Sequence, residues 1–396
     1  MNDTLQLFKV FMAENASKEV GKVLQSGYIA QGPKVEEFEK AMQPIFAPNP
    51  YVLSLNSGTS AIQLALHLLK KPDPECEWPG IEMGDDVLSS ALTCTATNWP
   101  IMAEGINIKW VDVDPTRVVI SMKDLRAKLS PRTKVIIFVH WGGLIADLDE
   151  IQSIRDECYQ RFGFRPYVIE DCAHAMGAKF QGKNLGNHGN LCIFSLQAIK
   201  HLTTGDGGIL TVPNKTLYKR GKLIRWFGIS REQRSQPGSD FRLEADVPEW
   251  GFKFHMNDIN ATIGLCNIPH LSFILKRCRD NAGFYYQALQ NVPGIQCVRG
   301  SQHACSSFWL FSLRVLNGEK KRLMQFMTDK KIVVSQVHKR NDLHSCVSEF
   351  KAQLPNLDKL EQELLCIPVG WWITDDDRIR IVETIKQFFE TSTAKL

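Results

Sequence analysis

FSLQAIKHLTTGDGG, residues 194–208, ends an apolar run with a serine and follows it with a lysine and a glycine-rich turn. A nucleotide-binding P-loop requires its lysine after the glycines, whereas Lys200 here precedes Gly205. A lysine in such a turn is ordinarily solvated. It becomes a candidate for catalysis if the preceding strand buries it beside a bound group.

Outward from this stretch, short apolar runs alternate with helical patterns between about residues 50 and 215. Strands are predicted at 51–55, 86–89, 108–113, 134–139, 167–170, 191–195 and 208–212, with helices at 60–70 and 147–163. This alternation predicts an α/β fold with a large domain and a mostly parallel central sheet.

The C-terminal part has a different pattern. A long helical segment is interrupted at Pro269, after which strands at 308–316 and 331–337 alternate with helices at 320–330 and 376–390. We therefore expect an N-terminal arm and large domain over 1–270 and a small α+β domain over 271–396. The polar segment 228–250 lacks a sustained period and is interpreted as a functional loop.

Composition narrows the functional classes. The formal charge of +4 is small for 396 residues and gives no reason to expect nucleic-acid binding. The 11 cysteines include no C-x-x-C pair, which favours reduced thiols over a zinc site or a disulfide scaffold. Because the first 20 residues lack a signal-peptide pattern and no apolar run reaches the ~20 residues of a membrane span, we expect a cytoplasmic protein.

Two other motifs carry polar groups at strand ends. VIEDCAHAMGA, residues 168–178, places Glu170, Asp171 and His174 after an apolar run, where the acids either cap a helix or hold a cationic partner. LSLNSGTSAIQLAL, residues 53–66, passes through a Ser-Gly-Thr turn into a helix. That turn is either a phosphate site or an ordinary helix cap.

Taken together, the three stretches match the needs of pyridoxal phosphate (PLP). The aldehyde of this cofactor requires a lysine amine, its pyridine nitrogen requires an anion, and its phosphate requires backbone amides and hydroxyls. The amine would come from Lys200, the anion from Asp171, and the amides and hydroxyls from the turn before residue 60.

On these motifs the chain resembles the sugar-nucleotide aminotransferases of the DegT type, a branch of the fold-type I PLP enzymes. The resemblance extends to SGYIAQGPKVEEFE at 26–39, which matches the N-terminal entry motif, and to GFKFHMNDINATIG at 251–264, which matches a dimer-contact segment. It covers most of the chain and implies a homodimer with shared active sites.

The resemblance also implies roles for individual residues. Lys200 would form the Schiff base with PLP and shuttle protons, Asp171 would pair with the pyridinium nitrogen, and His174 would help to hold the ring. The cofactor phosphate would be bound by Gly58, Thr59 and Ser195, and by Lys253 of the second subunit, where many members have asparagine.

The substrate side is less regular. Many family members have an aromatic residue that stacks on the pyridine ring, and Cys94 aligns with that position. Either a smaller group does the stacking or Trp99 takes part. Tyr28, Trp99 and Arg231 are candidates to contact the nucleotide or the hexose.

The implied reaction is amine transfer from glutamate to a nucleotide-linked 4-keto-6-deoxyhexose carried on dTDP or GDP, in a ping-pong cycle. A lysine at position 200 favours this over the dehydratase branch, which has histidine there. The alternatives are a 3-keto-sugar or cyclitol aminotransferase of the same family, a PLP-binding sensor without catalysis, and a magnesium-dependent nucleotide hydrolase.

Overall fold

The computed structural model describes residues 4–74, 77–234 and 246–393. Its strands are β1 (Val52–Leu55), β2 (Asp86–Ser90), β3 (Asn107–Val111), β4 (Val113–Asp114), β5 (Val119–Ile120), β6 (Thr133–Val139), β7 (Tyr167–Asp171), β8 (Lys179–Phe180), β9 (Lys183–Asn184), β10 (Leu191–Ser195), β11 (Gly208–Thr211), β12 (Ile295–Cys297), β13 (Ala304–Cys305), β14 (Phe311–Val315) and β15 (Leu364–Ile367).

The helices surround these strands. They are α1 (Ala16–Ser26), α2 (Pro33–Met42), α3 (Gly58–Leu69), α4 (Thr95–Ala103), α5 (Met122–Lys128), α6 (Leu148–Phe162), α7 (Lys215–Ile224), α8 (Arg231–Arg234), α9 (Asp258–Asn267), α10 (Leu271–Leu289), α11 (Lys320–Asp329), α12 (Pro355–Glu363) and α13 (Asp375–Thr393). Within the described residues, none of them is long and apolar enough to cross a membrane.

The central sheet has seven strands in the order β1-β11-β10-β7-β6-β2-β3. The five strands from β10 to β3 are parallel, and β11 is antiparallel to both of its neighbours. Strand β1 therefore runs in the same direction as the parallel set, and six of the seven strands end at one edge. This confirms the predicted α/β fold with a mostly parallel sheet, and it brings the segments that follow β1, β7 and β10 together at that edge.

Apolar side chains form two main cores. The larger core lies on both sides of the central sheet, whose strands are buried on both faces and so read as continuous apolar runs. The second core is built on the antiparallel sheet β12-β14-β15 and on helices α10, α11 and α13. Its buried members all lie after residue 281. The domain boundary near residue 270 stays a prediction.

Two predicted segments differ in the structure. Residues 331–337 form no strand; they make only single bridges, between Leu5 and Ile332 and between Ser335 and Cys366. Lys331 and Val337 have φ values of 59° and 75°, so the backbone leaves the extended region at both ends of the β-branched run. The predicted strand 108–113 is divided into β3 and β4 at Asp112. Of the predicted loop 228–250, residues 235–245 lie outside the described residues.

Candidate active site

Lys200 lies in the loop between β10 and β11, at the sheet edge where the parallel strands end. It lines a cavity of about 400 Å³. The same cavity is lined by the predicted site residues Gly58, Thr59, Cys94, Asp171, His174 and Ser195, and by Phe8, Thr93, Gln197, Trp309, Val337 and His338 among others. The fold thus brings together three motifs that are far apart in the sequence.

The loop that carries Lys200 is fixed by its own hydrogen bonds. The backbone N–H of Lys200 donates to the carbonyl of Gln197 at 2.9 Å, and that of Leu196 donates to the carbonyl of Gly207 at 2.9 Å. A Cβ on Gly208 would lie 2.3 Å from the carbonyl oxygen of Ser57, so only glycine allows β11 to start this close to the segment before α3. The glycine-rich turn therefore positions the lysine and starts a strand, as predicted.

Asp171 ends β7 and is 4% exposed. Its Oδ2 accepts a hydrogen bond from Oγ1 of Thr97 at 2.6 Å, and its Oδ1 accepts from the backbone N–H of Ala173 at 3.0 Å. Burial raises the pKa of this carboxyl group, while the two hydrogen bonds and the nearby Lys200 oppose that rise. The arrangement holds a buried carboxylate that gains from a cationic partner.

The amine of Lys200 is tuned by the same surroundings. Burial lowers its pKa to about 8, and the negative charge of Asp171 counteracts this shift. About a tenth of the amine is therefore unprotonated at pH 7, far more than for an ordinary lysine. An unprotonated lysine amine is the form that attacks a carbonyl carbon and that accepts a proton.

The start of α3 lines the same cavity as the lysine and is suited to an anion. Ser57 caps the helix by accepting a hydrogen bond from the N–H of Ser60 at 3.0 Å. Gly58 and Thr59 occupy the first turn, where backbone N–H groups have no acceptor within the helix. A Cβ on Gly58 would lie 3.2 Å from Cβ of Ser195, so the missing side chain lets the helix start approach the end of β10. These groups suit a phosphate.

His174 forms part of a column of aromatic rings. Its ring stacks on Trp309 with a centroid distance of 3.9 Å, and Trp309 in turn stacks on Phe8 at 4.7 Å. The ring of His338 lies nearly parallel to that of His174, with a centroid distance of 5.8 Å. Nδ1 of His174 accepts a hydrogen bond from the N–H of Gly142 at 3.3 Å, and burial lowers the pKa of the imidazole well below its usual value. The ring is therefore neutral.

Trp309 and His338 are site residues that the sequence reasoning missed. Both come from the C-terminal third, in segments whose apolar neighbours read as ordinary strands. Trp309 precedes β14, and His338 follows the left-handed residue Val337. The sequence offers one local signal for Trp309. A tryptophan beside a buried strand needs a hydrogen-bond acceptor for its indole N–H.

The two residues considered for ring stacking lie in different places. Cys94 lines the cavity at the start of α4. Trp99 does not belong to the described lining; it is half-buried, and its ring meets the edge of the His344 ring at 5.7 Å. Its proposed contact with substrate stays a prediction.

Tyr28, Arg231 and Lys253 lie away from the lysine cavity of their own chain. Tyr28 is 74% exposed and lines a separate groove between α1, α2 and α9. Arg231 donates from Nη2 to the carbonyl oxygen of Gln31 at 2.6 Å, and Gln31 lies in the loop before α2 that also contains Tyr28. Lys253 is exposed, on a segment that pairs with Trp226. None of the three side chains belongs to the lining described for the lysine cavity.

Glu170, the other acid of the strand-end motif, has a structural role. With His140 and Cys172 it forms a buried group whose spacing could hold a metal ion. Its carboxylate instead accepts from Nε2 of His140 at 2.9 Å and from Nδ2 of Asn190 at 2.7 Å, while Nδ1 of His140 accepts from the N–H of Ala146. These hydrogen bonds tie the ends of β6, β7 and β10 together.

The cavity residues fit PLP. Lys200 offers an amine for its aldehyde, and Asp171 offers a buried anion for its pyridinium nitrogen. The glycine at the start of α3 leaves room for a phosphate between the helix and Ser195. A volume of about 400 Å³ is also within the usual range for small-molecule sites.

Comparison with known proteins identifies the family of the chain. Residues 11–386 match the DegT/DnrJ/EryC1/StrS aminotransferase family. The fold is similar to that of AtS13 from Actinomadura melliaura (TM-score 0.90, 44% identity, 97% of this chain and 98% of the other). It is equally similar to that of the sugar aminotransferase CalS13 from Micromonospora echinospora (TM-score 0.90, 41% identity, 97% and 99%).

A curated relative extends the comparison. The chain is 29% identical to the spore coat polysaccharide biosynthesis protein SpsC of Bacillus subtilis over 380 residues, 93% of each protein. The family match spans nearly the whole chain and includes every motif quoted above. The chain therefore belongs to the DegT/DnrJ/EryC1/StrS aminotransferase family, the sugar aminotransferases that use pyridoxal phosphate.

Proposed function

We propose that this enzyme transfers an amino group from glutamate to C4 of a nucleotide-linked 4-keto-6-deoxyhexose carried on dTDP or GDP. The observation that carries the proposal is the meeting of the Lys200 amine, the Asp171 carboxylate and the start of α3 in one cavity. The similarity to sugar aminotransferases supports a sugar as the acceptor.

In this proposal Lys200 is the group that moves protons. PLP, when bound, withdraws electrons from the carbon that exchanges its amino group. With a pKa of about 8, Nζ of Lys200 can accept a proton at one position and return it at another within the same pH range. Both halves of the ping-pong cycle require this step, first with glutamate and then with the keto-sugar.

The remaining cavity residues bind and orient. Asp171, held by Thr97 and the N–H of Ala173, keeps the pyridine nitrogen protonated. His174 supports the ring as a neutral imidazole, because its Nδ1 is occupied by the N–H of Gly142. Gly58, Thr59 and Ser195 bind the phosphate through backbone N–H and hydroxyl groups.

We further propose that the active site is completed in a homodimer. Lys253 is an exposed basic residue, Tyr28 lies in the loop before α2, and Arg231 donates to Gln31 of that loop. None of the three reaches the cavity described for its own chain. In the partner's site they would supply a phosphate contact and contacts to the nucleotide sugar.

The test is amine transfer by the purified enzyme to a panel of keto-sugar nucleotides. The panel contains dTDP- and GDP-linked 4-keto-6-deoxyhexoses and a 3-keto-6-deoxy analogue, with glutamate as donor and identification of the product by NMR. We expect a 4-amino product with the wild type and no product with Lys200→Ala. The matched control is Lys219→Ala, which removes an exposed lysine on α7 and should leave the rate unchanged.

The outcomes separate the alternatives. A 3-amino product would replace the 4-keto assignment by its family alternative. Absence of transfer to every sugar, together with retained PLP binding, would favour the non-catalytic sensor. Transfer by Lys200→Ala at the wild-type rate would overturn the role of the lysine.

A further inference from the structure

The amine of Lys200 contacts the aromatic face of Trp309. Nζ of Lys200 lies over the indole, 3.6 Å from the ring centroid. The polar contacts of Asp171, by comparison, are with Thr97 and the backbone of Ala173. The free lysine therefore rests on an aromatic face and not on the nearby carboxylate.

The indole is held rigidly in this position. Its Nε1–H donates to the carbonyl oxygen of Ile199 at 2.9 Å, which ties it to the residue before Lys200. His174 covers it at 3.9 Å with an interplanar angle of 19°, and Phe8 stacks at 4.7 Å. Trp309 is 6% exposed, so movement of the ring would require displacing these neighbours.

The backbone before the indole is strained into place. Phe308 has a φ of 50°, in the left-handed region that favours glycine. Its neighbour Ser307 donates from Oγ to the carbonyl oxygen of His174 at 3.0 Å, and a Cβ on Gly143 would lie 2.8 Å from the nitrogen of Phe308. Strain of this kind persists where surrounding contacts fix a functional position.

A transaminase lysine has two competing partners when it is free. A protonated amine is attracted to the buried carboxylate of Asp171, which is required for the pyridine nitrogen. An aromatic face also attracts an ammonium group, but it holds the charge without pairing with that carboxylate. An amine on Trp309 leaves Asp171 available and stays within reach of the cavity.

We propose that Trp309 is a positioning residue that holds the amine of Lys200 whenever it is not bonded to the cofactor and keeps it off the Asp171 carboxylate. The proposal rests on the proposed role of Lys200 and adds a residue to it. In the half of the cycle in which the cofactor carries the amino group, Lys200 is free, and the indole gives it a defined position from which to move a proton.

The test measures the free amine directly. The purified enzyme is loaded with pyridoxamine phosphate, which leaves Lys200 unbonded, and is labelled with trace acetic anhydride across a pH series. Mass spectrometry of the peptide that contains Lys200 gives the midpoint of its labelling profile. In Trp309→Leu, water enters and the ammonium pairs with Asp171, so we expect the midpoint to rise by about one pH unit. The extent of labelling near neutral pH, divided by the plateau that the same variant reaches at high pH, then falls about tenfold.

Two further variants separate positioning from stability. Trp309→Phe keeps an aromatic face and should shift the midpoint by less than Trp309→Leu. Trp78→Leu is the matched control, because Trp78 is 3% exposed and also donates its Nε1–H to a backbone carbonyl, that of Leu69, outside the lysine cavity. Its labelling profile should equal that of the wild type even if its melting temperature falls.

An unchanged midpoint in Trp309→Leu, a shift to lower pH, or labelling reduced equally at every pH would overturn the proposal. The result is independent of the transfer assay, because labelling reports the protonation of the amine and not its catalysis. Retained transfer by Lys200→Ala would count against the proposed function, whereas an unchanged midpoint would count against the role of Trp309.

Discussion

At the scale of single residues, the hydroxyl of Thr97 controls the charge of Asp171. Its hydrogen bond of 2.6 Å stabilises the carboxylate against burial, which raises the pKa of the group. The donor sits on α4, 74 residues from the acid, and its neighbour Thr93 bonds to it at 2.7 Å. The anion that PLP requires therefore depends on a residue outside the strand-end motif.

We predict that Thr97→Val weakens PLP binding about tenfold, because a hydrogen bond to a charged group contributes about 1.5–3 kcal/mol. Equilibrium titration of the cofactor by absorbance measures the change. Thr384→Val is the matched control: Thr384 is buried, and its hydroxyl donates to the carbonyl of Arg380 on α13, in the second core. Equal losses in both variants would contradict the role assigned to Thr97.

His201, the residue after Lys200, is expected to make stability depend on pH. Its Nδ1 is buried without a partner among the described residues, while Nε2 faces the carbonyl oxygen of Ser307 at 3.1 Å. Burial lowers the pKa of His201 to about 4, and Lys200 and Arg279 add to this shift. Since the unfolded chain binds a proton at this residue near pH 6.5, unfolding is favoured increasingly as pH falls below that value.

We therefore predict that the free energy of unfolding falls more steeply in the wild type than in His201→Gln between about pH 6.5 and pH 4, with a difference of about 3 kcal/mol over that window. Urea unfolding at several pH values measures it. Above pH 6.5 the contribution is fully present, and the two slopes should agree. The control His303→Gln changes an exposed histidine and should keep the wild-type slope.

At the scale of elements, the start of α3 closely approaches the end of β10. A Cβ on Gly58 would lie 3.2 Å from Cβ of Ser195, so a larger side chain would crowd the gap between α3 and β10. We predict that Gly58→Val reduces affinity for PLP at least about tenfold and affinity for pyridoxal, which lacks the phosphate, much less. The ratio of the two dissociation constants is the measurement.

The control for this experiment is the same substitution on another helix. Gly283 on α10 is exposed, and a Cβ there would meet nothing within 4 Å. Gly283→Val should leave both dissociation constants unchanged. An equal loss of PLP and pyridoxal in Gly58→Val would show that the helix start does not bind the phosphate.

Elements also show why some features were predictable and others were not. The strands of the central sheet are buried on both faces, so β1, β7 and β10 appear in the sequence as apolar runs, and the polar residues that follow them were found as site candidates. The run 331–337 is equally rich in β-branched residues. It forms no strand, because Lys331 and Val337 adopt positive φ, which no apolar pattern reveals.

Trp309 illustrates the limit for the site itself. It reaches Lys200 from 109 positions further along the chain, through contacts with Ile199 and His174 that only the folded sheet creates. Motifs such as 168–178 carry their chemistry within a few residues and can be interpreted locally. A single aromatic side chain from a distant part of the chain carries no comparable spacing.

At the scale of the whole molecule, the cavity described for one chain has fewer positive charges than the proposed function requires. The described cavity contains no arginine, and Lys200 is its only lysine. The imidazoles of His174 and His338 are neutral, since burial lowers the pKa of His174 well below its usual value and that of His338 to about 4. A nucleotide sugar and a dicarboxylic donor both carry negative charge, so further cations must come from elsewhere. Lys253 and Arg231 of a second subunit are the proposed source.

This proposal predicts complementation between two inactive variants. If Lys253 serves the partner's site, a mixed dimer of Lys200→Ala and Lys253→Glu chains has one site with both substitutions and one site with neither. Mixing the two chains in equal amounts, with dissociation and reassembly, should give half hybrid dimers and restore about a quarter of the wild-type transfer rate. Size-exclusion chromatography confirms reassembly, and each variant mixed with itself provides the baseline. If Lys253 acts within its own chain, every site in the mixture carries one of the two substitutions, and the rate stays at that baseline.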